Sequence, residues 1–415
     1  MPQHITILTS GTRGDVQPLI ALAVGLQQAG YQVRFATHER FHPFVAAHGL
    51  PFVALAGDPN ALLSDSDALV HTGSALRSLG ATLRYLRRIQ PVYAQLVRSA
   101  WEAAQHADAL LITLPTFWGA ELAAALGVPC IAAWLQPIGR TAAFPSPLQP
   151  FSGSLGATCN QLSHVVVQRA MQHAWRGAVR RWRRAERIGR QNKRASTDML
   201  QLYGFSPRVV PRPADWPPGA HVTGYWFLDR SADWQPPAAL LRFLADGPPP
   251  VYVGFGSLQT RSDHAFVMML KHALAQTGQR AILAGPPPAN LPPSIFPLGD
   301  APHDWLFPRM AAVMHHGGAG TTASALRAGV PQIVVPIGVD NFFWGRRMHE
   351  LGVSPPPIPH RHLTAGRMVA ALRSAFDPAT CARAAALGEY ISAERGVQQA
   401  VQFVQQFVPV AQSVR

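Results

Sequence analysis

The feature that most constrains this chain is a rhythm of short apolar run, tight loop and helical periodicity, set out twice. Residues 5–9 read as a buried strand and Ser10-Gly11-Thr12-Arg13-Gly14 as a tight loop. Residues 16–28 then carry apolar side chains at helical spacing, and Gly30 stands where a C-cap belongs. A strand is expected at 31–36, a helix near 41–48 and a strand at 52–54, and a similar unit recurs at 109–113, 118–126 and 130–134. The pattern restarts with strands at 251–255, 280–284, 311–315 and 332–336 and helices at 265–277 and 321–328. Strand, loop, helix, strand, repeated, requires crossover connections, so both halves are expected to be α/β with parallel sheets.

Between the halves the rhythm lapses. Residues 140–160 are rich in Pro, Ser, Gly and Phe, and a proline-dense stretch at 206–250 reads as a linker with a short approach helix at 238–244. We therefore expect an N-terminal domain at 1–225, a linker at 226–240, a C-terminal domain at 241–394 and a last segment at 395–415, helical over 398–408. With 48% hydrophobic residues the chain has material for a core, which excludes a disordered protein. No apolar run approaches the ~18–20 residues of a membrane helix. The opening Met1-Pro2-Gln3-His4 has no basic signal-peptide start, and Cys130, Cys159 and Cys381 form neither a disulfide framework nor a zinc pattern. A cytoplasmic location is the expectation.

Chemistry is most legible at Val313-Met314-His315-His316-Gly317-Gly318-Ala319-Gly320-Thr321-Thr322. A buried strand ends in a loop with three glycines in four residues, and a helix follows. Such a loop leaves backbone N–H groups unobstructed and aims them, with the helix dipole, at one spot that suits a diphosphate. The lysine of a Walker loop is missing, so this is not a P-loop. Glycines alone would equally serve to pack helix on strand; the paired histidines and the segment that follows favour a ligand.

That segment, Ala325-Leu326-Arg327-Ala328-Gly329-Val330-Pro331 and then Pro336-Ile337-Gly338-Val339-Asp340-Asn341, resembles the nucleotide-sugar site of family-one inverting glycosyltransferases, closest to their sterol and antibiotic-aglycone branches. The resemblance runs along the chain through Gly11-Thr12-Arg13-Gly14-Asp15-Val16-Gln17-Pro18, Phe144-Pro145-Ser146-Pro147-Leu148, Gly224-Tyr225-Trp226, Gly254-Phe255-Gly256-Ser257 and Pro302-His303-Asp304-Trp305-Leu306. It implies the GT-B fold, two Rossmann-like parallel-sheet domains facing each other across a cleft, with the last helix crossing back to the first domain. It further implies a nucleotide-sugar donor, UDP-glucose first and a TDP-sugar as the alternative, and a lipophilic acceptor such as a sterol, triterpenoid, polyketide or flavonoid. No metal or other cofactor is expected.

Carried over by position, Ser257, His316 and the amides of Gly318, Ala319, Gly320 and Thr321 hold the diphosphate. His303 lines the base and ribose pocket, Gly14 adjoins the donor, and Asp340 with Asn341 binds the sugar hydroxyls. Two departures stand out: Asn341 replaces the glutamine of many relatives, and Ser324 replaces the ribose-binding glutamate of the plant branch. Where plant enzymes stack a tryptophan on the base, the nearest position is Asp300. Trp118, Trp134 and Phe144 are candidates for the acceptor wall, with apolar core an equal claim on each.

Asp15 opens the first helix. Aspartate is a favoured residue at helix starts and needs no catalytic role there. The resemblance instead makes Asp15 the general base that takes the proton of the acceptor hydroxyl, and that is the role assigned to it. Whether Arg13 points at Asp15 is open.

Asp65-Ser66-Asp67 is a literal Asp-x-Asp remote from the phosphate loop and is read as solvated. Residues 160–194 hold ten basic side chains and one acid, Glu186. As a helix they would turn Val166, Ala170, Ala174 and Ala178 to one side. A solvated face is the first reading of residues 164–194, contact with an anionic membrane surface the second; no nucleic-acid module accompanies them. Alternatives to transfer are a nucleotide-sugar epimerase or hydrolase on the same frame, and a non-catalytic nucleotide- or lipid-binding module.

Overall fold

The computed structural model describes residues 3–59, 79–149, 153, 156–189, 199–231, 233–255, 264–285, 290–338 and 340–409, with side chains for all of these except 79–88. Seven strands form the first sheet: β1 (His4–Leu8), β2 (Gln32–Thr37), β3 (Phe52–Ala54), β4 (Ala109–Ile112), β5 (Cys130–Trp134), β6 (Leu200–Tyr203) and β7 (Ala220–Val222). Their order is β3-β2-β1-β4-β5-β6-β7, and the pairings are parallel, with Ile5 opposite Val33 on one side and Ala109 on the other. The second sheet holds β8 (Val251–Gly254), β9 (Ala281–Ala284), β10 (Ile295–Leu298), β11 (Ala312–His315) and β12 (Gln332–Val334), in the order β10-β9-β8-β11-β12, again parallel. Helices flank both sheets, so strands such as β4 and β11 are buried at every position and read as unbroken apolar runs. This is the GT-B architecture.

The chain returns to its first half at the end. The Gly396–Phe407 helix packs on the Arg13–Gln28 helix, with Val401 and Val404 buried in the core that holds Leu19, Leu22 and Leu26. Each buried valine contributes roughly 1.5–3 kcal/mol. Gly25 permits the approach, since a Cβ there would lie 2.6 Å from Val397. Tyr31 Oη donates to the Val408 carbonyl at 2.6 Å.

Two sequence expectations need correction. The stretch 206–250, read as linker and approach helix, contains β7, which extends the first sheet by pairing with β6. The Ala157–Ala185 helix forms, but its inner face is only partly the expected one: Ala178 is buried and Ala174 packs on the core, while Ala170 is exposed. Asn160, His164, Trp175, Ala178 and Trp182 are buried, whereas Val166 is 58% exposed. Two indoles offer far more apolar area than a row of alanines, and they set the rotation. Trp175 stacks on Tyr93 at 3.7 Å, and Arg169, Arg176, Arg180 and Arg184 face solvent.

Candidate active site

In an open parallel sheet, successive connections that leave a strand in opposite directions open a crevice at the carboxyl ends. β1 has β2 on one side and β4 on the other; β8 has β9 and β11. The loops after β1 and β11 therefore meet at a cleft of about 1590 Å³ between the two sheets. Gly14, His303, His316, Gly318, Ala319, Gly320 and Thr321 line it, as do Arg13, Tyr252, Asp300 and Trp305.

On the N-terminal side, Gly11 holds φ +125°, and a Cβ there would collide with Asp15 Oδ2 at 2.3 Å. The residue type is thus fixed both by backbone conformation and by the carboxylate beside it. Asp15 Oδ2 accepts from Thr12 N at 2.8 Å and Thr12 Oγ1 at 3.2 Å, the helix-start bond that aspartate suits. Arg40 donates to the Gly11 carbonyl and pairs with Asp58. His38, behind the loop, meets Ser10 Oγ at 2.7 Å and the Leu55 carbonyl at 3.1 Å. Burial pushes the Asp15 carboxyl up to about 6, the Asp340 charge adds to this, and the Thr12 hydrogen bonds and Arg40 oppose it. Arg13 does not point at Asp15; it reaches across the cleft to pair with Asp300.

On the C-terminal side, His315 ends β11 fully buried. Gly317 N donates to its Nδ1 at 3.1 Å, so Nε2 carries the proton and donates to Gln332 Oε1 at 2.8 Å. Burial, helped by His316, pushes His315 down to about 3, so the ring is a neutral strut for the loop. His316 is pushed down to about 4 by burial; its Nδ1 is buried without a partner among the described residues, and its Nε2 crowds Gly318, where a Cβ would lie 2.5 Å away. Gly318 caps the Ala319–Arg327 helix without a side-chain bond. The first amides of that helix have no partner among the described residues, as is common at a helix N-terminus, and their residues line the cleft. His303 stacks on Phe307 at 4.1 Å, and burial, followed by Arg13, pushes it down to about 4. Trp305, on the cleft wall, is 8% exposed, and Arg309 covers one face of its ring, 4.2 Å from the centre.

Asp340 caps the Asn341–Glu350 helix. Its Oδ2 accepts from Gln136 Nε2 at 3.2 Å and from Trp344 Nε1 at 3.1 Å, and burial raises its proton affinity against these bonds. Asn341 turns inward: its Oδ1 accepts from Gly338 N at 3.3 Å. Ser257, Asp65 and Asp67 lie outside the described residues. Trp118 and Trp134 sit in the first half's core, Trp118 stacked 5.1 Å from Trp175, and neither lines the cleft. Phe144 is half-buried against Phe343, at 5.6 Å, where the halves meet. Among the described residues no group of three His, Cys, Asp or Glu side chains is placed to hold a metal. Gln136, Arg40 and Gln332 carry no sequence signal, since each matters only through a partner well removed along the chain; Trp344 meets Asp340 one helical turn away.

Fold and cleft define a GT-B protein. Two family models match it, the glycosyltransferase family 28 N-terminal domain over residues 5–118 and the erythromycin biosynthesis protein CIII-like C-terminal domain over residues 281–405. The sterol 3-beta-glucosyltransferase of Emericella nidulans is 37% identical over 427 residues, covering 97% of this chain and 30% of that protein. The chain thus spans less than a third of the length of the curated relatives it matches. The fold is shared with the glycotransferase of kitacinnamycin (TM-score 0.70, 19% identity, 98% of this chain and 100% of that one). It is shared too with glycosyltransferase SnogD from Streptomyces nogalater (TM-score 0.65, 22% identity, 98% and 100%). Over 97% of its length the chain is similar to a fungal sterol 3-beta-glucosyltransferase, in keeping with the resemblance carried by its ordered motifs.

Proposed function

We propose that this protein transfers a hexose, glucose from UDP-glucose, to a hydroxyl of a lipophilic small molecule of sterol type, with inversion. The observation that carries the reading is a pair of partly buried carboxylates from opposite halves, Asp15 and Asp340, the charge of the second raising the proton affinity of the first, together with a helix N-terminus that lines the cleft. The name of the fungal relative, a sterol 3-beta-glucosyltransferase, supports the choice of sugar and acceptor.

In this reading the acceptor oxygen attacks the anomeric carbon while its proton passes to Asp15. A carboxyl raised to about 6 is still mostly ionised at neutral pH and is a stronger base than an exposed aspartate. The bond from the anomeric carbon to the β-phosphate oxygen breaks on the opposite face, and the nucleoside diphosphate leaves with the electron pair. The amides at the start of the Ala319–Arg327 helix and an N–H of neutral His316 receive the charge that develops. Asp340, held through Oδ2, offers to sugar hydroxyls its Oδ1, which accepts only a long 3.5 Å bond from Asn341 Nδ2 among the described residues.

Incubation with UDP-glucose and a sterol, followed by NMR, tests this. Equal amounts of UDP and a β-glucoside are expected. UDP with free glucose, or an epimerised donor without glycoside, would replace the reading with a hydrolase or an epimerase.

A further inference from the structure

Among the described residues three arginines line the cleft: Arg13, Arg230 and Arg327. Two of them are committed elsewhere. Arg230 binds Asp304 through Nη1 at 2.8 Å and through its backbone N at 3.3 Å. Arg327 binds Asp229 at 2.5 Å and lies in the last turn of the phosphate-loop helix, about 12 Å from the open N-terminus at 1.5 Å per residue.

Arg13 differs in its place and in having the most exposed of the three ion pairs. It stands on the opposite wall, at the first helical position after Thr12. Its stem is held by Gln17, Nε to Oε1 at 3.0 Å, and by Phe44, whose ring centre is 5.1 Å away. Its tip crosses to Asp300, in an ion pair whose side chains are 50% and 81% exposed. An ion pair so exposed to water holds weakly. The helix carrying Arg13 and the phosphate-loop helix approach with Cα atoms within 8 Å. The Arg13 charge is also felt at His303, in the half that carries that loop.

We infer that Arg13 binds the donor's diphosphate from the acceptor-side wall, exchanging Asp300 for phosphate when the nucleotide enters. The inference deepens the donor reading above and rests on it. Charge arithmetic drives it: the helix N-terminus supplies only about half a positive charge, and His316 is neutral near pH 7. A diphosphate brings more negative charge than these two groups answer. A guanidinium presents a planar fork that matches phosphate oxygens. Gln17 and Phe44 do not depend on Asp300, so Arg13 stays in place when the ion pair opens. Asp300, already mostly in solvent, loses little by letting go.

The test is calorimetric titration of the full chain with UDP, and with TDP in parallel, for wild type, Arg13→Gln, Arg13→Lys, Asp300→Asn and the Arg13→Gln/Asp300→Asn pair. Arg13→Gln is expected to weaken binding at least about tenfold and to flatten its salt dependence. Arg13→Lys should keep part of the affinity. Asp300→Asn should tighten binding severalfold by removing the competing carboxylate, and should change nothing once Arg13 is gone. Melting curves check that each variant is folded, and Arg13→Lys carries the test if Arg13→Gln is not. Weakening of the same size by Arg13→Gln and Asp300→Asn would make the pair a structural latch and overturn the inference. Unchanged affinity in Arg13→Gln, with wild type binding normally, would overturn it alone. A wild type that binds neither nucleotide would instead bring down the donor reading.

Discussion

The carboxylate of Asp15 and the backbone N–H of Thr12 close the first turn of the first helix at 2.8 Å, leaving Asp15 with one oxygen in the helix cap and one outside it. Oδ2 takes both Thr12 bonds, and Oδ1 has no hydrogen bond among the described residues. The capping role and the proposed catalytic role are thus compatible in a single side chain, and they can be separated by mutation.

Asp15→Asn keeps an amide oxygen for the cap and removes a buried charge. Because the folded-state pKa is raised from 3.8 to about 6, Asp15 favours folding fully below pH 4, and that contribution fades as pH rises through 6. The variant is therefore expected to match wild type near pH 4 and to exceed it at pH 7.5 by up to about 3 kcal/mol, at 1.36 kcal/mol per unit. Asp15→Ala also loses the cap, which costs about 1 kcal/mol. Urea denaturation at the two pH values measures both.

The same carboxyl sets a rate profile. Transfer, followed as kcat/KM, should rise tenfold per pH unit below about 6 and level off above it, as Asp15 ionises. A profile flat from pH 5 to 8 would assign proton removal elsewhere.

Gln332 supports the phosphate loop without touching the cleft. Gln332→Leu strands the buried Nε2 proton of His315 and should cost about 1–3 kcal/mol. It should also weaken UDP binding, because the other ring nitrogen accepts from Gly317 N, inside the loop. Denaturation and calorimetry together check the coupling.

Two glycines of that loop should behave oppositely. Gly317 holds φ +90°, and a Cβ would meet Val334 at 2.8 Å and the Asn341 carbonyl at 2.9 Å, so Gly317→Ala should destabilise the protein and abolish nucleotide binding. A Cβ at Gly320 meets nothing within 4 Å, and alanine is the better helix former by about 1 kcal/mol. Gly320→Ala should fold at least as well as wild type, so any loss of UDP affinity in it reports a phosphate against the backbone.

Much of this was legible because parallel sheets write themselves as apolar runs. The strand at 52–54 and the one at 130–134 are found at those bounds, and the glycines after β11 do introduce a helix. β7 was hidden because three residues among prolines carry no periodicity; only pairing with β6 makes them a strand. The inner face of the Ala157–Ala185 helix was legible at Ala174 and Ala178 but not at Val166 and Ala170, because regular spacing was weighed above side-chain size. Gln136 could not be read at all: its bond to Asp340 joins residues 204 apart and exists only once the two halves meet. The direction of Arg13 was likewise open until Asp300 was seen opposite it.

Asp15 as the base of a transfer reaction is the central claim. Single-turnover transfer from UDP-glucose to a sterol, run on wild type and Asp15→Asn with UDP affinity measured beside it, tests it most directly. A fall of about 10²–10⁴-fold in the transfer rate with unchanged UDP affinity is the expected result. Transfer by Asp15→Asn at the wild-type rate would contradict the account and leave Asp15 as a helix cap alone.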